Sequence, residues 1–194
     1  MKNMKYHGVV VPMVTPVYEN GEVDLDATQK IVKFLAKNDV APLLMGTTGE
    51  GNSLNRRDGL LFVRKAVETA EGRVKVYAGL TGNCFADQVS AAKEYVDTGA
   101  DVIVATLPTY YALTPEQMYG YYVALADSIP GPLMLYNILA TTHMSIPIDI
   151  IKRLADHPNI VGLKDSERNL PRMKELIEFA KDREDFSFFC GCAA

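Results

Sequence analysis

A short apolar segment recurs along this chain about every thirty residues, and each recurrence is followed by a segment with helical periodicity. Successive segments end 34, 33, 26, 32, 28 and 26 residues apart, at Pro12, Gly46, Gly79, Ala105, Asn137, Asp165 and Gly191. A strand followed by a helix and then by another strand is the unit of a parallel sheet, because a crossover of that length returns the chain to the same sheet edge. The repeat therefore predicts an α/β fold with seven parallel strands.

Two architectures fit this alternation, an open doubly wound sheet and a closed (β/α)8 TIM barrel. We favour the barrel because polar residues follow several of the strands rather than one switch point. A complete barrel of this type needs eight strands and about 250 residues, whereas the 194 residues here end just after the seventh strand. We expect a single barrel domain over residues 1–194, truncated after the seventh strand and lacking the last strand–helix unit and any C-terminal helices.

The sixth apolar segment, residues 159–166, contains a lysine at the end of what we interpret as a buried strand. An ammonium group costs several kcal/mol to bury unless it is paired or gives up its proton. One interpretation is that the stem of Lys164 lies along the strand while the amine reaches water. The other is a Schiff-base lysine, since burial favours the uncharged amine that attacks a ketone.

Two other strand ends carry groups suited to the same chemistry. Tyr136 lies 28 residues before Lys164, which is one strand–helix unit. Adjacent parallel strands run about 4.8 Å apart, so the phenol and the amine can project into the same mouth. The hydroxyl of Thr47 can relay a proton to a tyrosine, and Thr48 with neighbouring backbone amides can bind a small carboxylate. Each feature alone also has an ordinary explanation, as an amphipathic edge residue or as a simple turn.

Two helices near these strands are also predicted. Residues 146–155 form one helix, after a loop over residues 138–143. Residues 169–181 form another, and its apolar repeat predicts an inward face made of Leu170, Met173, Ile177 and Ala180.

Composition excludes several classes of function. The chain has 20 Lys and Arg against 24 Asp and Glu, and no basic patch indicates a nucleic acid partner. Its apolar runs are shorter than the roughly 20 residues of a membrane span, so we expect a cytoplasmic protein with no membrane partner. Cys84, Cys190 and Cys192 are odd in number and indicate neither a disulfide framework nor a zinc site. We expect them to be buried free thiols.

Four motifs, in this order and spacing, resemble those of the dihydrodipicolinate synthase and N-acetylneuraminate lyase family of class I aldolases. They are Gly-Thr-Thr-Gly-Glu at residues 46–50, Tyr-Tyr at 110–111, Tyr-Asn at 136–137 and Gly-Leu-Lys-Asp-Ser at 162–166. The resemblance covers the whole chain and implies a (β/α)8 barrel. It further implies that Lys164 forms an imine with the ketone of pyruvate, for which no metal or organic cofactor is needed.

The same resemblance implies roles for other residues. Tyr136 would act as the general acid and base, assisted by Thr47. Thr47 and Thr48 would hold the pyruvate carboxylate, and Gly191 would lie near the imine. Tyr111 matches a tyrosine that the synthase branch donates across a subunit interface, which implies a homotetramer built as a dimer of dimers. A loop tyrosine is also compatible with a simple rim aromatic.

Residues 138–143 bear on which branch the chain resembles. In the synthase branch this loop carries an arginine that binds the carboxylate of the second substrate or product, and Thr141 occupies that place here. A threonine lacks the charged, bidentate fork of an arginine. His143 could reach a substrate hydroxyl, although a loop histidine is commonly solvated or structural.

We therefore predict a lyase or aldolase that cleaves or forms a 2-keto-3-deoxy acid, with pyruvate and an aldehyde as its small-molecule substrates. The first alternative is a dihydrodipicolinate synthase that condenses pyruvate with aspartate semialdehyde. The second, from a different class, is a catalytically silent, barrel-like binding protein.

Overall fold

The computed structural model describes residues 5–192, in which seven strands alternate with helices as the apolar repeat predicts. The strands are β1 (Val10–Pro12), β2 (Ala41–Leu44), β3 (Tyr77–Leu80), β4 (Val102–Thr106), β5 (Leu133–Asn137), β6 (Ile160–Asp165) and β7 (Ser187–Cys190). The helices are α1 (Leu25–Lys37), α2 (Arg56–Ala70), α3 (Phe85–Asp97), α4 (Pro115–Ser128), α5 (Leu139–Thr142), α6 (Ile148–Leu154) and α7 (Leu170–Ala180).

The chain divides into two compact units. Residues 8–104 form the first unit, and residues 105–192 with residues 5–7 form the described part of the second. That residues 1–194 make one domain stays a prediction.

In the first unit, β1, β2 and β3 pair in parallel, with Val10 opposite Ala41 and Leu43 opposite Tyr77. The helices begin where polar side chains can accept bonds from otherwise unpaired amides. Asp24 accepts from the backbone of Ala27 at the start of α1, at 2.8 Å. Fully buried apolar side chains fill the space between strands and helices, among them Leu43, Leu44, Phe62 and Tyr77.

In the second unit, β5, β6 and β7 pair in parallel, and all five residues of β5 are buried. A sheet covered on both faces requires such continuous apolar strands. The register places Tyr136 opposite Lys164, and Lys164 opposite Phe189. Before α4, Thr114 and Gln117 form a capping box that satisfies two amides of the first turn.

Helix α7 turns a different face inward from the one predicted. Leu170 is 65% exposed and Ile177 is 49% exposed, whereas Arg172 and Leu176 are buried together with Ala180. Residues three or four positions apart lie on one face of a helix, and both the predicted and the observed inward faces have that spacing. The apolar pattern alone therefore does not show which of the two faces is buried. The buried stripe contains a charged residue because Arg172 has a buried carboxylate partner, Asp165.

Three further expectations are corrected. Residues 138–143 contain the short helix α5 rather than only a loop, and α6 begins at Ile148 because Pro147 precedes it as the N-cap residue. The cysteines are free but not buried, since Cys84 and Cys190 are exposed and Cys192 is partly exposed. Cys84 is the N-cap residue of α3, and Cys190 ends β7, so both stand at element ends where less of the core covers them.

No helix within residues 5–192 has the length and hydropathy that a bilayer crossing requires.

Candidate active site

Lys164 and Tyr136 lie side by side at the ends of adjacent strands. The lysine is 9% exposed, and its Nζ lies 4.1 Å from the centroid of the Tyr136 ring. Within residues 5–192 no carboxylate forms an ion pair with this amine. The low exposure keeps most water away from the amine, and the phenol ring lies within contact distance of it. The arrangement therefore suits a nucleophilic amine beside a phenol that can exchange protons.

The backbone of Gly191 lies close to the aliphatic stem of this lysine. A Cβ atom built on Gly191 would lie 3.2 Å from Lys164 Cε and 2.2 Å from Ser166 Oγ. The backbone amide of Gly191 donates to the carbonyl of Asp165 at 2.7 Å, which holds the chain there. A side chain at this position would displace the hydroxyl of Ser166 and press on the lysine stem, so glycine keeps this close approach free of strain.

The residues that follow Tyr136 and Lys164 meet on the opposite face of the sheet, because successive side chains of a strand point to opposite faces. Asn137 Nδ2 donates to Asp165 Oδ2 at 3.0 Å and to Glu167 Oε2 at 3.1 Å. Asn137 Oδ1 accepts from the backbone of Ile146 at 3.0 Å, and Ser145 Oγ donates to Glu167 Oε2 at 2.6 Å. These bonds tie the ends of β5 and β6 to the chain that leads into α6.

A buried arginine completes this set of contacts. Arg172 Nε donates to Asp165 Oδ2 at 2.9 Å and lies 3.6 Å from Glu167 Oε2. Burial alone would raise the pKa of Glu167, but the hydrogen bonds from Ser145 and Asn137 and the nearby guanidinium outweigh it, so its pKa is lowered. Sequence reasoning missed Arg172 because its apolar neighbours defined the predicted inward stripe. The spacing of 28 residues between Asn137 and Asp165, the same as between Tyr136 and Lys164, is the sequence signal that indicates their pairing.

The predicted residues of the following loops are exposed. Thr141 lies on α5, where its hydroxyl is 3.5 Å from the carbonyl of Ile138. His143 ends that helix with a left-handed backbone, at φ 57°. Neither is hydrogen-bonded to Lys164 or Tyr136 within residues 5–192. Their roles toward a substrate stay predictions.

Tyr111 is 74% exposed and packs edge to face on Tyr110, with 4.8 Å between ring centroids. An exposed pair of aromatic rings is compatible both with a rim position and with a role at a subunit interface. Its role in a neighbouring subunit's proton relay stays a prediction.

The other two predicted site residues, Thr47 and Thr48, are exposed in a tightly packed turn of the first unit. Thr15 Oγ1 donates to the carbonyl of Gly49 at 2.5 Å, and a Cβ on Gly49 would lie 2.7 Å from the carbonyl oxygen of Met13. The turn therefore has a closely packed backbone, while both threonines are exposed. The proposed contacts of Thr47 with Tyr136 and with pyruvate stay predictions.

Among the described residues, no group of three or more His, Cys, Asp or Glu side chains is placed to hold a metal ion.

Comparison with known proteins identifies the family. The profile of the "Dihydrodipicolinate synthetase family" matches residues 5–194. A 4-hydroxy-tetrahydrodipicolinate synthase of Nitrosospira multiformis is 34% identical over 192 residues, which cover 98% of this chain and 63% of that protein. The corresponding protein of Laribacter hongkongensis is 35% identical over 185 residues, covering 95% of this chain and 63% of its own length. The chain thus spans less than two thirds of the length of these relatives.

Solved structures agree with the sequence matches. The dihydrodipicolinate synthase DapA-2 of Bacillus anthracis superposes with a TM-score of 0.90 at 32% identity, over 97% of this chain and 64% of that one. The chloride-inhibited dihydrodipicolinate synthase of Acinetobacter baumannii, solved with pyruvate, superposes with a TM-score of 0.89 at 31% identity, over 95% of this chain and 63% of that one. YagE, an Escherichia coli K12 prophage protein also solved with pyruvate, superposes with a TM-score of 0.91 at 27% identity, over 96% of this chain and 64% of that one. The predicted (β/α)8-barrel class is confirmed, and the chain belongs to the dihydrodipicolinate synthetase family.

Proposed function

We propose that this chain carries the reactive lysine of a class I, pyruvate-dependent aldolase or lyase that cleaves or forms a 2-keto-3-deoxy acid. One observation carries the proposal: the buried amine of Lys164 lies 4.1 Å from the ring centroid of Tyr136, on adjacent strands. Membership of the family supports it. The relatives from A. baumannii and E. coli were both solved with pyruvate, which supports pyruvate as the keto acid here.

The proposed chemistry begins with the Lys164 amine attacking the ketone carbon of pyruvate. Water leaves, and the protonated imine that remains withdraws electrons from the neighbouring carbon. When C3 loses a proton, or when the C3–C4 bond of a longer keto acid breaks, the electron pair is stored as an enamine. In the forward direction the enamine adds to an aldehyde; in the reverse direction it is protonated and hydrolysed to pyruvate.

Other residues complete the proposal. Tyr136 would donate and accept the protons of these steps, assisted by Thr47. Thr47 and Thr48 would bind the pyruvate carboxylate, and the close approach of Gly191 would leave room at the imine. The scheme requires no metal or organic cofactor.

The choice of branch depends on Thr141. Because its neutral hydroxyl cannot replace a charged, bidentate arginine, we propose an acceptor aldehyde without a carboxylate to be bound at that loop, with His143 facing an acceptor hydroxyl. The names of the curated relatives favour a second candidate, the 4-hydroxy-tetrahydrodipicolinate synthase that condenses pyruvate with aspartate semialdehyde.

We further propose a cytoplasmic homotetramer in which Tyr111 reaches a neighbouring subunit. The exposure of the Tyr110 and Tyr111 rings supports this proposal. Size-exclusion chromatography with light scattering would test it, and a monomeric mass for both the wild type and Tyr111→Ala would contradict it.

Borohydride trapping tests the imine. The purified protein is incubated with pyruvate, reduced, digested and analysed by mass spectrometry. We expect a stable three-carbon adduct on Lys164, no adduct in Lys164→Ala, and an unchanged adduct in the exposed control Lys174→Ala. A folded wild type with no adduct would contradict the proposal and favour the catalytically silent binding protein.

Competing aldehydes separate the two enzymatic candidates. Pyruvate-dependent condensation is compared between aspartate semialdehyde and hydroxyaldehydes of similar length, in the wild type and in Thr141→Arg. We expect the wild type to condense hydroxyaldehydes faster than aspartate semialdehyde. We expect Thr141→Arg to raise the rate of condensation with aspartate semialdehyde. Preference of the wild type for aspartate semialdehyde would establish the second candidate.

A further inference from the structure

Five side chains, three of them buried and two partly exposed, form a polar cluster on the face of the sheet opposite Lys164 and Tyr136. We call it the Asp165 cluster; its members are Asn137, Ser145, Asp165, Glu167 and Arg172. The charges are two carboxylates and one guanidinium, and Asp165 and Arg172 are 5% and 8% exposed. None of these five residues was assigned a role in the proposed reaction.

The cluster is attached directly to the two reactive residues through the backbone. Asn137 follows Tyr136 in β5, and Asp165 follows Lys164 in β6, while the register sets each pair side by side. Because the side chains of a strand alternate between its faces, a bond between Asn137 and Asp165 on one face fixes the separation of Tyr136 and Lys164 on the other.

Arg172 supplies the positive charge in this cluster. The Asp165 and Glu167 carboxylates both accept a hydrogen bond from the same Asn137 amide nitrogen, so they lie near each other, Asp165 buried and Glu167 partly exposed. Like charges in such surroundings repel strongly unless a counter-ion lies near them. Arg172 Nε contacts Asp165 and approaches Glu167, and its positive charge therefore offsets the repulsion between the two carboxylates that accept from Asn137.

The geometry of Arg172 is itself informative. Its backbone amide donates to Asn169 Oδ1, which fixes the first turn of α7 under the end of β6. Within the described residues, Nη2 is the only buried side-chain nitrogen or oxygen without a hydrogen-bond partner. A residue chosen for packing alone would not bury an unpaired donor, which costs free energy. The guanidinium is instead oriented by its Nε contact with Asp165.

We propose that Arg172 is a positioning residue for imine formation, acting through Asp165 and Asn137 to hold the Lys164 amine against the Tyr136 ring. The inference rests on the proposed function and extends it to the second face of the sheet. Because a misplacement of about 1 Å at a reacting group can lower a rate by about 100-fold, we expect Arg172→Met to slow imine formation by about 10- to 100-fold.

The affinity for pyruvate distinguishes positioning from general loss of structure. The proposed carboxylate-binding residues, Thr47 and Thr48, belong to other elements of the chain than Arg172 does. The KM for pyruvate is therefore expected to stay within about twofold while the maximal rate of imine formation falls. A protein that had lost its fold would lose both.

The test measures imine formation by rapid quench with borohydride at a series of pyruvate concentrations. The variants are Arg172→Met, Arg172→Lys and Asp165→Asn, and the control is Lys174→Met, which removes a positive charge from an exposed position of the same helix. Circular dichroism and urea unfolding establish that each protein is folded. Arg172→Lys retains a cation within reach of Asp165 and should recover part of the rate.

The double variant tests whether Arg172 acts through Asp165. If it does, combining Arg172→Met with Asp165→Asn slows imine formation little more than either change alone. If Arg172→Met does not fold, the isosteric Asp165→Asn decides, and it should show the same loss of rate with the same KM.

Two results would overturn the inference. A folded Arg172→Met, or in its absence a folded Asp165→Asn, that forms the imine within twofold of the Lys174→Met rate would show that the cluster does not position the lysine. An equal rise in KM and fall in rate would assign Arg172 a purely structural role. If the wild type itself forms no adduct with pyruvate, the proposed function fails, and this inference fails with it.

Discussion

Replacing Gly162 by alanine should separate β6 from β7 just before Lys164. A Cβ atom built on Gly162 would lie 2.4 Å from the carbonyl oxygen of Ser187 and 3.2 Å from Met134 Cε. The methionine end can turn away, but the carbonyl belongs to the paired strand β7. The strands would have to part by roughly 1 Å, and overpacking of this kind costs about 1–3 kcal/mol of stability.

The matched control is Gly120→Ala, which adds the same methyl group in the exposed middle of α4. No atom lies within 4 Å of a Cβ built there. Alanine in a helix interior is favoured over glycine by about 1 kcal/mol, so this variant should be more stable than the wild type. The free energies of unfolding of the two variants should therefore differ by about 2–4 kcal/mol.

Urea unfolding followed by far-ultraviolet circular dichroism measures this difference. The comparison is valid if both variants unfold with the same dependence on urea concentration as the wild type, because an altered slope would signal a change in the unfolded or folded ensemble. If Gly162→Ala unfolds within about 0.5 kcal/mol of the wild type, the close packing of β6 against β7 described above is wrong.

Three other predictions concern single side chains. The pKa of Glu167 is lowered in the folded protein, so its ionised form adds stability above the unfolded pKa of about 4.3, and this stability is lost as pH falls through the folded pKa. Urea unfolding between pH 6 and 3 should therefore show a steeper loss of stability for the wild type than for Glu167→Gln, and parallel curves would contradict this. Tyr122→Phe removes a buried hydroxyl that donates to a main-chain carbonyl at 3.2 Å, and thermal or urea unfolding should show a loss of about 1 kcal/mol rather than no change. In a Cys84→Ser background, Ellman's reagent should label exposed Cys190 before Cys192, whose pKa is raised by burial and by the neighbouring thiol; labelling in the reverse order would refute the assignment.

The alternation of strands and helices was predictable because it depends only on where apolar runs recur. Each run must cross the sheet in the same direction, so a repeat of about thirty residues specifies parallel pairing without reference to any one side chain. The pairing of Tyr136 with Lys164 was predictable from the same spacing of one strand–helix unit, and the register places them opposite each other. The catalytic roles of both residues stay predictions.

The inward face of α7 was not predictable from its apolar residues. Met173 and Ala180 fit the predicted stripe, but Arg172 is buried because Asp165 lies beside it, and Asp165 belongs to a strand seven residues earlier in the chain. A sequence pattern reports the preference of each residue for water, whereas a buried ion pair depends on a partner that only the fold brings near. The exposure of Cys190 was missed for a related reason, since strand periodicity does not indicate where a strand end leaves the core.

The alternation of side chains along β5 and β6 also restricts how proteins of this design can change in length. Tyr136 and Lys164 point one way, and Asn137 and Asp165 point the other. Inserting or deleting a single residue within either strand would exchange the two faces of that strand, since a slip of one position reverses every side chain that follows it. Length changes that preserve function are therefore expected in the segments between elements, or within these strands only as pairs of residues.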